Sequence, residues 1–140
     1  MYCDTSALVK LYVKEDSSEA MQALAESASM IAVCRITWAE VMAALTRRLR
    51  ESPANAEVIE AIRECIRVDW SRYAIIEITQ PLVELAGDFA DTFALRGYDS
   101  IQLAAARILQ EASDDVLHFA CFDTRLQRAA KVLGMTTPFA

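Results

Sequence analysis

The sequence predicts an α/β fold in which helices cover a parallel sheet. Short β-like runs alternate along the chain with longer stretches of helical period, and those runs are apolar almost throughout. Continuous apolar content suits strands buried on both faces, whereas a half-exposed antiparallel strand would carry a polar residue at every second position. Only 3 Gly and 3 Pro in 140 residues leave too few turn residues for a many-stranded sandwich, and a 54% hydrophobic content excludes disorder.

Taken in order, strands are expected at residues 1–4, 30–34 (MIAVC), 74–78 (AIIEI) and 117–122 (LHFACF), with a short edge near 135–137. Residues 5–27 hold one or two helices. Trp38, Val41, Met42, Leu45 and Leu49 then form one helical stripe, and Val58, Ile59, Ile62, Cys65 and Ile66 form a second. A third helix starts at Pro81 and runs through Leu82, Leu85, Phe89 and Phe93, with Arg96-Gly97 expected as its last-turn cation and C-terminal glycine. Ile101, Ala104, Ala105, Ile108 and Leu109 mark a fourth, and Leu126, Ala129, Ala130 and Leu133 the last. Residues 51–55 read as a loop. No repeat, low-complexity segment or linker interrupts the pattern, so residues 1–140 are expected to form a single domain.

Four cysteines at positions 3, 34, 65 and 121 are too scattered for a C-x-x-C motif, and each lies in an apolar run; buried, reduced cysteines are expected. No apolar stretch approaches the roughly 18 residues of a membrane span, and residue 1 leads straight into the first element, so a cytoplasmic protein without a membrane partner is expected. A net charge of −6 excludes nucleic-acid binding by a general basic field, but not an enzyme whose bound cations supply the positive charge. The only histidine, His118, precludes a histidine-rich metal site, and no serine motif completes a triad around it; it reads as a strand or surface residue.

Asp4, Glu40, Asp99 and Asp123 each stand at or just inside the start of a helix, and Asp4 and Asp123 directly follow expected strands. In an open parallel sheet, strand ends that lead into helices share one edge, where ligands bind. Each acid also has a structural explanation, because capping and the helix dipole favour acids at helix starts. Thr37-Trp38-Ala39-Glu40 in particular fits a capping box. If the four meet, their mutual repulsion calls for a divalent cation, and a set without thiolate or imidazole ligands points to Mg²⁺ or Mn²⁺ over zinc. Such a cation activates water and neutralises charge on a phosphodiester, which is nuclease chemistry.

Four segments carry a resemblance to a known family: YCDTSALVKLY from Tyr2, ITWAEVMAAL from Ile36, LRGYDSIQLAAA from Leu95 and CFDTRLQRAA from Cys121. Over nearly its whole length the chain resembles the PIN-domain ribonucleases, and among them the VapC-like toxins of type II toxin–antitoxin pairs. The resemblance implies a three-layer α/β/α sandwich with a central parallel sheet, and an acidic pocket holding one or two Mg²⁺ or Mn²⁺. Asp4, Asp99 and Asp123 would be metal-binding carboxylates, Glu40 would complete the catalytic set, and Ser6 would support Asp4 by a hydrogen bond. It further implies cleavage of an RNA substrate to 5′-phosphate and 3′-hydroxyl ends, a VapB-like antitoxin partner, a homodimer, and contact with DNA only through the antitoxin. Cys121 stands where the family often has Thr or Ser, so a hydroxyl near the metal site is missing.

The principal alternative is a non-catalytic PIN-like interaction module whose acids are helix caps. A phosphotransferase of the haloacid dehalogenase type would need a second acid two residues after Asp4, where Ser6 stands. Arg47, Arg48 and Arg50 read as favourable charge at a helix C-terminus or as RNA phosphate contacts, a role for which Lys10, Arg96 and Arg125 are also candidates.

Overall fold

A computed structural model describes residues 1–139. The chain runs β1 (Tyr2–Cys3), α1 (Thr5–Val9), α2 (Ser18–Ser27), β2 (Ala32–Cys34), α3 (Thr37–Glu51), α4 (Ala56–Asp69), β3 (Ala74–Ile76), α5 (Gln80–Phe93), α6 (Gly97–Glu111), β4 (Phe119–Ala120) and α7 (Thr124–Val132). The four strands are parallel, in the order β3-β2-β1-β4. They are shorter than the apolar runs suggest, because only their centres lie side by side. Backbone hydrogen bonds continue one residue further, from Asp4 N to Ala120 O (3.1 Å) and from Arg35 N to Ile76 O (3.0 Å). The expected short edge is a single parallel bridge between His118 and Thr136 outside β4.

Successive strand residues face opposite layers, as the two-residue period of a strand requires. Tyr2, Ala32, Cys34 and Phe119 join α5, α6 and α7 in one core, and Cys3, Val33 and Ala120 join α1–α4 in the other. The result is the three-layer α/β/α sandwich with its central parallel sheet.

Three expectations need correction. Cys65 is exposed, unlike buried Cys3, Cys34 and Cys121. Its neighbour in the expected stripe, Val58, is exposed as well, because α4 covers the sheet with a narrower face centred on Ile59 and Ile66. Gly97 does not end a helix. The helix α5 stops at Phe93, Ala94 takes the left-handed conformation (φ 53°), and Gly97 opens α6 after an extended Arg96. Of the expected loop at 51–55, Glu51 ends α3 and Pro53–Asn55 form one turn of 3₁₀ helix.

Candidate active site

The acidic residues come together at the carboxyl edge of the sheet. Asp4, Glu40, Asp99 and Asp123 line one cavity of about 460 Å³, with Thr5, Ser6, Lys10, Glu15, Arg96, Gln102 and Phe122 among the other lining residues. Asp4 follows β1 and Asp123 follows β4, which are neighbours; Glu40 lies in the first turn of α3 after β2; Asp99 comes from the first turn of α6.

The four divide into two kinds. Asp4 and Asp123 are true caps, their Oδ1 atoms accepting from Ala7 N (2.9 Å) and Leu126 N (2.8 Å). Glu40 and Asp99 cap nothing. The expected capping box is absent: the side chain of Glu40 turns away from the Thr37 amide, and its Oε1 accepts from Thr5 Oγ1 (2.9 Å) and Gln102 Nε2 (2.7 Å). The box cannot form because Ile36 and not Thr37 is the N-cap: Thr37 lies inside the first turn, its buried Oγ1 accepting from Gln102 Nε2 (2.9 Å).

Ser6 occupies the supporting position: its hydroxyl donates to Asp4 Oδ1 (2.7 Å) and accepts from Phe122 N (3.0 Å), tying α1 to the residue before Asp123. Cys121 fills the position of the missing hydroxyl, its Sγ accepting from Asp123 N (3.3 Å).

The electrostatics are those of carboxylates crowded in a poorly solvated place. Burial pushes the Asp4 carboxyl up to about 6, against the hydrogen bonds from Ser6 and Ala7 that favour its ionised form. Burial also raises Glu40, as does the charge of Asp99, while Gln102 and Thr5 oppose. Asp99 is raised by burial and by Asp123, with Arg96 and Arg125 opposing. The couplings therefore run as a chain, Asp4 to Glu40 to Asp99 to Asp123. Among the described residues, no three His, Cys, Asp or Glu side chains are grouped closely enough to hold a metal ion together.

Of the candidate cations, Lys10 and Arg96 line the cavity. Lys10 is bound to Glu15 Oε1 (3.0 Å) and lies 4.6 Å from the centre of the Phe122 ring, and Glu15 also pairs with Arg48. Arg125 donates to the Ala94 carbonyl (3.3 Å). Arg47 and Arg50 do not line this cavity. Thr5 and Gln102 are site residues that sequence patterns did not single out, and Thr37 reads there only as a cap; the available signal was a lone glutamine inside the apolar run SIQLAAA.

The family model of the PIN domain matches residues 1–132. The chain belongs to the PIN-domain family. It is 32% identical over 135 residues to ribonuclease VapC45 of Mycobacterium tuberculosis, covering 96% of this chain and 91% of that one. Ribonuclease VapC46 of the same species is 30% identical, with 96% and 93% covered. Among solved structures, a toxin–antitoxin complex from Klebsiella pneumoniae aligns with a TM-score of 0.70 at 24% identity, covering 99% of this chain and 97% of that one. The FitAcB structure from Neisseria gonorrhoeae aligns with a TM-score of 0.66 at 17% identity, covering 99% and 96%. These structural likenesses show that the PIN fold extends over essentially the whole chain.

Proposed function

We propose that this PIN-domain protein is a metal-dependent endoribonuclease and the toxin of a VapBC-type pair. The observation that carries the proposal is the single cavity lined by four acids drawn from four distant segments, two of which, Glu40 and Asp99, have no capping work to explain them. The relatives named as VapC ribonucleases support the same activity.

The donor set suits a hard cation, because the carboxylates of Asp4, Glu40, Asp99 and Asp123 and the hydroxyls of Thr5 and Ser6 offer it oxygen. Mg²⁺ keeps several of its waters and is held by one or two carboxylates, so acids strung along a cavity fit it without three of them converging. Asp4, through the Oδ2 left free by its cap, together with Asp99 and Asp123, would hold one or two Mg²⁺ or Mn²⁺, and Glu40 would orient water. A bound cation supplies Lewis acidity and a water of lowered pKa. The chain's own groups do the rest. Ser6 and the Ala7 amide fix Asp4, Arg96 and Lys10 draw phosphate oxygens to the wall, and hydrolysis breaks the P–O3′ bond to leave 5′-phosphate and 3′-hydroxyl ends.

An RNA loop or single strand fits such an open cavity, since its backbone can be splayed into the site. A VapB-like antitoxin that covers the cavity, and a homodimer, complete the proposal; DNA would be reached only through the antitoxin. The caps made by Asp4 and Asp123 favour a second reading, a non-catalytic interaction module.

Cleavage of a structured RNA by purified, antitoxin-free protein with Mn²⁺, Mg²⁺ or EDTA, beside Asp4→Asn and Asp99→Asn, separates the two. The nuclease requires cation-dependent cleavage, lost in both variants, and a melting temperature raised by cation only in the unsubstituted protein. No cleavage by any of the three proteins, and melting unmoved by metal, would leave the module.

A further inference from the structure

We propose that Gln102 is a positioning residue that turns and holds the Glu40 carboxylate toward the cavity, an inference that rests on the nuclease reading above. Gln102 lies three residues after Asp99 on α6, so both project from the same side of the helix. It is 2% exposed, a polar residue followed along the helix by the buried run Leu103–Ala106.

Every polar atom of its amide is used. Oε1 accepts from the Tyr2 hydroxyl, and Nε2 donates to Glu40 Oε1 (2.7 Å) and Thr37 Oγ1 (2.9 Å), with Thr5 Oγ1 at 3.3 Å. One side chain thereby joins β1, α1, α3 and α6 at the cavity wall. The orientation of the amide is determined: turned over, it would set a carbonyl oxygen 2.7 Å from a carboxylate oxygen, which burial makes prohibitive. Tyr2 cannot yield, since it is fully buried and stacked on Phe119 at 5.6 Å between centres.

Two N–H bonds serve the two nearer acceptors. Thr5 instead donates its own hydroxyl to Glu40 Oε1 at 2.9 Å. That oxygen is thus held from two directions, which restrains the carboxylate more than one bond would, and Oε2 takes no hydrogen bond from the described residues. A catalytic group displaced by about 1 Å costs up to about 10²-fold in rate, so this restraint is of catalytic size.

The test combines kinetics with side-chain amide NMR on the full chain. Gln102→Leu should lower kcat about 10- to 100-fold with KM within about twofold, because orientation is lost while substrate contacts stay. Combined with Glu40→Gln, it should cost nothing beyond Glu40→Gln alone, since both act through one carboxylate. In ¹⁵N-glutamine-labelled protein, Glu40→Ala should move the Gln102 amide resonances far more than those of other glutamines and speed their hydrogen exchange. A change in KM with kcat intact, losses that multiply, or Gln102 resonances unmoved by Glu40→Ala would each overturn the proposal. Should Gln102→Leu fail to fold, the NMR comparison decides. If the unsubstituted protein cleaves no RNA, the nuclease reading fails while the NMR comparison still rules on whether Gln102 holds Glu40.

Discussion

The two ends of the sheet carry cavities of opposite character. The carboxyl end has about 460 Å³ lined by four acids at helix starts plus Glu15. The amino end has about 590 Å³, lined by Met1, Met30, Val116, His118 and neighbours, with Asp115 its only carboxylate among the described residues. The larger cavity is the chemically plain one. Helix N-termini gather where strands end, and their dipoles lower the cost of bringing acids together; helix C-termini gather at the other end and would repel them. Direction of the chain, more than volume, decides where carboxylates can collect.

The sharpest way to break this contrast is at the acids that cap nothing. Asp99→Asn and Glu40→Gln should each lower kcat for RNA cleavage by about 10³-fold or more, roughly 4 kcal/mol of transition-state stabilisation, while the fold keeps its cooperative melting. Single-turnover cleavage rates check this, and a loss under tenfold in both variants would equate the two ends.

The next effect is on stability and has a definite sign. In metal-free protein the Asp4 carboxyl is raised by burial from 3.8 to about 6, so between those values the native state holds a proton that the unfolded chain has released. Stability from this group is therefore gained as pH falls from about 7 toward 4, and its ionisation at neutral pH costs about 2–4 kcal/mol. Glu40 and Asp99 act in the same direction. Asparagine caps as well as aspartate does, so Asp4→Asn should raise the neutral-pH melting temperature, with the gain vanishing near pH 4. Urea melts across pH measure it. A neutral-pH destabilisation would instead mark Asp4 as a cap whose charge the fold needs.

These expectations rest on features that were unequally legible in the sequence. The sheet and most helices were legible because burial on two faces imposes apolar runs and a 3.6-residue stripe. The α5–α6 boundary was not, since glycine marks a helix end only by habit, and here Ala94 tolerated the left-handed turn that Gly97 was expected to make. Position along the chain brought out the four acids, yet Glu40 looked like half of a capping box, whereas Ile36 is the N-cap and Gln102 and Thr5 hold the carboxylate. Gln102 itself has no local pattern: its partners lie up to 100 residues away, and only the packed fold brings them together.

A smaller effect belongs to the exposed cation on the cavity wall. Arg96→Gln should raise KM about 3- to 10-fold with kcat nearly unchanged, and flatten the dependence of log KM on log salt by about 0.7, one single-strand phosphate contact. Titrating KM from low to physiological salt reads both. An unchanged slope would remove Arg96 from the substrate path.

The smallest effect is expected at the amino end, and it bears most directly on the contrast. His118 is exposed, and what it gives the fold is backbone: its carbonyl accepts from Tyr2 N at 2.8 Å, and it pairs with Thr136 across the sheet edge. Neither contact involves the imidazole, so His118→Gln preserves both. Asp115 is exposed in the turn before β4, where its amide accepts no role beyond donating to Ser113 Oγ at 3.3 Å, and Asp115→Asn keeps that amide. Both substitutions should leave kcat/KM within about twofold and stability within about 0.5 kcal/mol, the range of ordinary surface changes. A tenfold loss of cleavage in either would mean that the larger cavity also meets substrate, and that the carboxyl edge does not act alone.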